Sequence, residues 1–545
     1  MTPTAPLMAP IAVMKKRTSA MCTDGAGLGR SAPSQKTIRR GPRTPLRSGQ
    51  RSRSHRSPRV PHRRGPSQYG SATMRVKTML RLGVVLGALL AAPAASAQDA
   101  ATSGCAAVSP IAAPCVGAAK IAESLAAECR RLGLPEASCG LPFSAAVSTA
   151  SRDAYVKSWT HRAAGFQSAL GDAVPLLQAA FLGTHNSFNS VNDTPTISHS
   201  DSNQQLSLVQ QLDVDMRSLE LDLHFFGGRV VLCHARPASE AHAGCTTERT
   251  FAEVLPEVGA WLRANPDEFL LLYLEDALKA DAGYAEAVAA LDRELKRADG
   301  SSMVLKPDPA ALGDKGCAPL PLDRSRTQIK AAGAQVVIVG NCAKGWGSRV
   351  FEWNSVHVES GDAAKYKPFP ACDGTYPRSV YTSKLVRYFE DSTLIATIVD
   401  PTRPVANPEA LTPERVAQMT ACGATIFGFD QLLPGDGRIA ASLWSWATDE
   451  PKLRTGCALQ GRDGRWTAVP CTQRHRVACA SKGTWSLSAR AVAYKDAARA
   501  CRKARRGPYF ALPMTGNSNA QLRRTAGEAP VWIRYKVGAS KPAAP

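Results

Sequence analysis

The sequence has fifteen cysteines but no CxxC pair, which removes the usual spacing of zinc sites and of thioredoxin-like redox sites. No Gly-rich phosphate-cradling loop follows any strand-like run, so P-loop and dinucleotide-binding enzymes lack their fingerprint here. No apolar run reaches the roughly 20 residues that a helix needs to cross a bilayer. Acidic residues are scarce at one end only. Residues 1–97 hold 18 Lys and Arg against a single acid, Asp24, whereas the other 448 residues hold 49 basic and 44 acidic side chains. The formal charge of +22 thus belongs to a low-complexity stretch rich in Arg, Ser, Pro and Gly that cannot bury enough apolar surface to fold. It does not describe a nucleic-acid-binding domain.

The segment after that stretch accounts for it. Met74 opens "MRVKTMLRLGVVLGALLAAPAASA": a basic n-region (Arg75, Lys77, Arg81), an apolar core from Leu82 to Leu90, and a small-x-small cleavage pattern at Ala95-Ser96-Ala97. These are the three parts of a secretory signal. Residues 1–73 read as upstream sequence or a disordered basic segment, 74–97 as the signal, and Gln98 as the approximate mature start. Beyond Cys22 there are fourteen cysteines, scattered from Cys105 to Cys501. An even, scattered set behind a signal reads as disulfides in an oxidising compartment. The expectation is an exported protein, extracellular or periplasmic, with no transmembrane segment.

Residues 98–150 form a lead-in with four cysteines and one helical stretch. From 151 to 440 strand-like and helix-like segments alternate, which favours an α/β fold with parallel strands. Strands are expected at "AAFLG", "RSLELDLHF", "EFLLLYLE", "AQVVIVGN" and "ATIFGF". Between them, Phe251, Val254, Leu255, Val258, Trp261 and Leu262 share one helical face, with a capping box from Thr250 to Glu253. A second amphipathic helix runs up to Gly300. A region of this size suits one TIM-type (β/α) barrel, whose usual length is roughly 250 residues. Residues 441–538 differ: five tryptophans and four cysteines with little helical periodicity indicate a separate small disulfide-rich α+β module.

Three stretches carry the chemistry. "FLGTHNSF" is an apolar strand ending in His185-Asn186, and side chains at the C-terminal ends of barrel strands face the active-site mouth. In "RSLELDLHF" alternation puts Leu219, Leu221 and Leu223 on one face and Glu220, Asp222 and His224 on the other. Two carboxylates aimed into one interior are costly to desolvate without a cation. After Gly227-Gly228, "RVVLCHAR" returns His234 on a second short strand. "NPDEFLLLYLED" ends in Glu275 and Asp276.

Taken together these stretches resemble the X-region of the phosphoinositide-specific phospholipase C superfamily over roughly residues 175–280. The matching pieces are His185-Asn186, Asn203-Gln204, Gln211-Leu212, Arg217…Glu220…Asp222, His234, Thr250-Phe251, Asn265-Pro266…Glu268 and Glu275. Metal-independent members carry Asp-x-Arg where this chain has Glu220-x-Asp222, so the resemblance is to the calcium-dependent branch. It implies Asn186, Glu220, Asp222 and Glu275 as metal ligands, all oxygen donors suited to Ca²⁺, with Mg²⁺ as the alternative. It also implies His185 as general base, His234 as general acid, and Asp430, at the end of "IFGFD", as the residue that orients a histidine. The implied substrate is phosphatidylinositol or a related phospholipid at a membrane surface. A glycerophosphodiester phosphodiesterase or sphingomyelinase-D-like activity is the alternative among enzymes, although His185-Asn186-Ser187 replaces the usual His-Arg-Gly of the former. A non-catalytic surface-binding protein is the alternative from another class.

The tail has its own resemblance. Residues 443–481 resemble the closing half of a C-type lectin-like domain and residues 494–535 its opening half, as in a circular permutation. That implies disulfides Cys457–Cys471 and Cys479–Cys501. Glu450-Pro451-Lys452 and Trp466-Thr467 lack the Asn and Asp of a calcium-dependent sugar site, which implies a structural or protein-binding module. N-terminal sequencing of exported protein is expected to begin near Gln98; a product that retains residues 1–73 would overturn the signal reading.

Overall fold

The structure, a computed structural model, describes residues 147–190, 192–193, 202–234, 249–279, 281–392, 410–502 and 507–538. The upstream segment, the signal and nearly all of the lead-in, including its helical stretch, lie outside the described residues. Among the described residues no helix is long and apolar enough to cross a membrane.

Two helices, α1 (Thr149–Val156) and α2 (Trp159–Gly171), precede a nine-stranded sheet. Its strands are β1 (Phe181–Thr184), β2 (Ser218–Phe226), β3 (Arg229–Leu232), β4 (Leu270–Ala277), β5 (Val336–Gly340), β6 (Phe351–Glu352), β7 (His357–Ser360), β8 (Leu385–Phe389) and β9 (Ile426–Phe429). Eight are parallel, in the order β6-β5-β4-β2-β1-β9-β8-β7, and β3 pairs antiparallel with β2 as a hairpin. The helices between and after them are α3 (Leu208–Asp213), α4 (Phe251–Ala264), α5 (Asp281–Glu294), α6 (Arg326–Ala331), α7 (Pro413–Cys422) and α8 (Gly437–Ser442). The expected capping box closes the start of α4. The second amphipathic helix stops at Glu294 rather than near Gly300, because Lys296 and Ser302 pair across a turn that holds Asp299 and Gly300.

This curled, mostly parallel sheet fits the expected TIM-like α/β fold, with one difference: no ladder joins β6 to β7. The reason is local. β6 is only two residues long, and its outer edge is taken by Pro319, which bridges Glu352 while the Glu352 N–H donates to the Ala318 carbonyl.

The alternation read from the sequence sorts the two faces. Outward side chains such as Leu219, Leu221, Leu223, Leu272, Leu274 and Ile338 pack with Phe251, Val254, Leu255 and Val258 of α4. Inward side chains form layers. Phe181, Phe269, Leu271, Val337, Phe351, Trp353, Leu385 and Ile426 make an apolar floor. Above it the inward positions turn polar. In register, Glu220 lies beside Tyr273, Asp222 beside Glu275, and Glu359 beside Arg387.

The C-terminal part holds a seven-stranded sheet of β10 (Gly456–Gln460), β11 (Trp466–Val469), β12 (Arg474–Ser481), β13 (Thr484–Leu487), β14 (Val492–Ala493), β15 (Tyr509–Phe510) and β16 (Val531–Val537), with helices α9 (Ala497–Cys501) and α10 (Gly516–Ala526). Trp444, Trp446 and Trp466 pack with Leu170 of α2, and Phe166 of α2 meets Trp446, Trp466 and Tyr535 edge-on or tilted. The module therefore shares a core with a helix that precedes the barrel. Its disulfides are Cys457–Cys471 and Cys479–Cys501, the two pairs expected. The barrel adds Cys317–Cys342 and Cys372–Cys422.

Gly183 marks where β1 and β2 approach most closely. A Cβ there would stand 2.3 Å from the Ser218 carbonyl and 3.0 Å from that of Phe427, backbone atoms that cannot move aside. Gly183→Ala is expected to cost about 1–3 kcal/mol or more, as overpacking does. Gly165→Ala, on α2 with nothing within 4 Å, should instead stabilise by about 0.5–1 kcal/mol. Urea unfolding of both variants would check this, and equal midpoints would refute the packing argument.

Candidate active site

His185 follows directly on β1, and its N–H donates to the Phe429 carbonyl at the end of β9. Its side chain is only 12% exposed and points into the barrel mouth, where Nδ1 lies 3.3–3.4 Å from the two Asp430 oxygens and Nε2 lies 3.9 Å from Glu220 Oε2. Burial alone would lower the imidazole, but the Asp430 and Glu220 carboxylates outweigh it and lift His185 to about 9. Asp430 is pushed up to about 6, chiefly by burial, with His185 pulling the other way. At neutral pH the two form a buried ion pair.

That pair is held from behind. Asp430 Oδ2 accepts from the Ser392 N–H at 2.5 Å and from Asn203 Nδ2 at 3.2 Å. The Asp430 N–H donates to Glu390 Oε2 at 2.8 Å, and Glu390 is bound in turn by Arg438 and by the Leu411 N–H. Gln204 Nε2 donates to the carbonyls of His185 and Phe429. Asn203 Oδ1 accepts from both Asn186 Nδ2, at 3.1 Å, and Asn189 Nδ2, at 2.8 Å. Asn186 adopts a left-handed φ of 43°, and its N–H donates to Glu220 Oε2 at 3.1 Å.

The carboxylates occupy four different environments. Glu220 is bonded to Arg387 Nη2 at 2.6 Å, and Arg387 Nη1 reaches Glu359 Oε2 at 2.9 Å. Burial would raise Glu359, but His357 and Arg387 hold it down to about 2. Asp222 is buried and its Oδ2 has no hydrogen-bond partner; burial, with Glu220 and Glu275 alongside, raises it well above the ordinary carboxylate range. Glu275 is exposed at the mouth, where desolvation and Glu220 raise it and His234 lowers it. Asp276 turns outward to Trp346 Nε1 and the Tyr284 hydroxyl.

Of the residues expected from the sequence, His185, Asn186, Glu220, Asp222, Glu275 and Asp430 therefore converge on the mouth. His234 stands exposed just past β3 and is linked to them through its charge on Glu275. His224 is buried two residues beyond Asp222 toward the end of the same strand, with its ring stacked near Phe226. Arg217 and Glu268 lie at the other end of β2, bonded to each other at 2.7 Å as scaffold. Sequence reasoning missed Arg387, Glu359, Glu390 and Arg438. The signal for Arg387 was present in "LVRYF", where Leu385, Arg387 and Phe389 alternate with Val386 and Tyr388.

The donors fit a hard cation in one respect: an orphaned, desolvated Asp222 oxygen beside a second carboxylate needs a positive charge to stay ionised. Among the described residues no three His, Cys, Asp or Glu side chains close around an ion by themselves.

Comparison with known proteins places these residues in a family. A family model described as the Rv2075c PI-PLC-like domain matches residues 140–436. Uncharacterized protein Rv2075c of Mycobacterium tuberculosis strain H37Rv and uncharacterized protein MT2135 of strain CDC 1551 are each 52% identical over 472 residues, covering 83% of this chain and 96% of theirs. Among solved structures, the phosphatidylinositol-specific phospholipase C of Listeria monocytogenes aligns at 13% identity and a TM-score of 0.32 over 50% of this chain and 98% of its own. That of S. aureus aligns at 10% and 0.33 over 53% and 98%.

In cation-free protein the His185 ring should titrate near 9, and Asp430→Asn should bring it down toward the ordinary 6.5, because burial then acts with only Glu220 opposing it. Imidazole NMR shifts across pH would show this. A wild-type ring titrating at 6.5 and indifferent to Asp430→Asn would sink the pairing.

Proposed function

The chain belongs to the Rv2075c PI-PLC-like family, and on that premise we propose that it is an exported phosphodiesterase acting on phosphatidylinositol or a related phospholipid, releasing diacylglycerol and a cyclic inositol phosphate. The observation that carries this reading is His185, backed by a buried Asp430 and set beside oxygen donors at the C-terminal ends of the barrel strands. A cation bound beside the carboxylates would oppose the charge on His185 and release its proton, so that the neutral ring takes the proton of the inositol 2-hydroxyl through Nε2 while Asp430 fixes it through Nδ1. The C2 oxygen then forms its bond to phosphorus as the phosphorus–oxygen bond to glycerol breaks. His234, exposed at the mouth, gives its proton to the departing glycerol oxygen. Asn186 has its Nδ2 committed to Asn203, which leaves its Oδ1 as the oxygen it would offer an ion. A divalent cation, Ca²⁺ or alternatively Mg²⁺, held by Asn186, Asp222 and Glu275 with Glu220 adjoining, would supply charge against the non-bridging phosphate oxygens. The disulfides support the export reading. The permuted lectin-like resemblance of residues 441–538 makes that part a binding or stabilising module fused to the catalytic one.

Head-group release from a phospholipid panel, with and without chelator, tests the substrate class. Preference for glycerophosphodiesters or sphingomyelin would replace the inositol lipid, and full activity in chelator would remove the cation. His185→Ala and His234→Ala should each lose about 10²–10⁴-fold in rate, the usual worth of one acid or base. A nitrophenyl inositol phosphate, whose leaving group barely needs a proton, should rescue His234→Ala and not His185→Ala. Equal rescue of both would mean that His234 is not the acid.

A further inference from the structure

Arg387 lies mid-strand in β8 with its side chain 4% exposed. To reach Glu220 on β2 its guanidinium crosses β9 and β1, which lie between the two strands in the sheet. Gly428 clears that path: a Cβ there would stand 3.2 Å from Arg387 Nη2 and 2.9 Å from the Phe389 Cβ. At the far end Glu220 Oε2 accepts Arg387 Nη2 at 2.6 Å and the Asn186 N–H at 3.1 Å, with His185 Nε2 at 3.9 Å. This carboxylate shares Arg387 with Glu359, and its Oε2 is already occupied by two donors. Two residues along the same strand, the buried Asp222 Oδ2 has no partner. Among the described residues neither Asp222 nor its register neighbour Glu275 has a Lys or Arg bonded to it. The buried oxygen without a partner therefore belongs to Asp222, and of the three carboxylates only Glu220 already has an arginine bonded to it.

Resting on the metal-assisted reading above, we propose that Glu220 is not a cation ligand in this chain. Arg387 and Glu220 act together as positioning residues that fix the Asn186 backbone and the His185 ring, while Asn186, Asp222 and Glu275 hold the ion and water or phosphate completes its shell. Two physical facts favour this division. A guanidinium is always charged, so an ion sharing Glu220 Oε2 would meet a resident cation on the same oxygen. Expelling Arg387 from its enclosed position would also strip Glu359 of a partner.

Europium(III) luminescence decay in H₂O and D₂O counts the waters on a bound ion, and calorimetry with Ca²⁺ gives affinity. Asp222→Ala and Glu275→Ala should each add water to the ion or abolish binding. The paired change Glu220→Met with Arg387→Met removes one charge of each sign, so the field at the ion is little altered. It should leave the water count at the parent value, with affinity reduced at most by the about 10–100-fold typical of groups behind the ligands. If the pair does not fold, Glu220→Met alone, in which Arg387 keeps Glu359, gives the same reading. A rise in water count in either Glu220 variant matching that of Asp222→Ala overturns the inference, as does an unchanged count in Asp222→Ala. Parent protein that binds neither ion overturns both this inference and the metal-assisted reading. Binding that Glu220→Met disrupts overturns this inference alone.

Discussion

Inside the barrel, one guanidinium is shared by two carboxylates that come from opposite sides of the sheet. Arg387, itself buried, joins the buried Glu220 to the more exposed Glu359, and much of the surrounding structure depends on that contact. Removing one partner of a buried pair typically costs about 3–5 kcal/mol, because the remaining charge is left uncompensated. The inward positions must therefore be apolar below this layer, small along the path of the arginine and polar above it. Phe181, Leu271, Leu385 and Ile426 form the floor, Gly428 leaves the gap, and Asp222, Glu275 and His185 begin above. Tyr273 lies against the same guanidinium, and burial beside Glu359 and Glu220 keeps its hydroxyl protonated well past its ordinary range.

A second chain of charges runs behind His185, and it differs in being complete. Arg438 binds Glu390, Glu390 accepts the Asp430 N–H, and Asp430 faces the imidazole. Ser392, Asn203 and Leu411 occupy other acceptor positions along the line. Each member is fixed by a neighbour that is itself fixed, which is the condition under which a buried polar network rigidifies a site instead of weakening it. Asp222 stands apart because nothing of the kind surrounds its Oδ2. Among the site's carboxylates it is the one with a buried oxygen that lacks a partner, and a carboxylate asks for positive charge that the chain does not itself place there.

Much of this was legible in the sequence, for physical reasons that vary by residue. β1, β2, β4, β5 and β9 announce themselves as apolar runs, and alternation in "RSLELDLHF" alone separates Leu221 from Glu220 and Asp222. His185 and Asn186 are recognisable because they end such a run. β6, β7 and β8 were missed: β6 is two residues long, and the alternation in β8 covers only five residues with a charged Arg387 at their centre. Arg387 and Glu220 are 167 positions apart, so the ion pair that organises the interior leaves no local pattern. The disulfides divide similarly. Cys457–Cys471 and Cys479–Cys501 came from a family resemblance, while Cys317–Cys342 and Cys372–Cys422 had no pattern to betray them.

The join between the two parts of the chain has a consequence for the site. Phe166 and Leu170 of α2 lie in the tryptophan core of the C-terminal sheet, Gln167 accepts the Trp444 N–H and donates to the Ser442 carbonyl, and the Asn517 side chain of α10 donates to the Ala421 carbonyl at the end of α7. α7 leads directly into β9, whose last residue precedes Asp430. α8, which carries Arg438, ends where those Gln167 contacts begin. Through α10 the module thus grips α7, which leads to Asp430, while α2, packed into the module's core, holds the end of α8, which carries Arg438. A tail of this kind need bind nothing to matter for the site. By holding α7 directly and α8 through α2, it stabilises the alignment on which the His185–Asp430 pair depends.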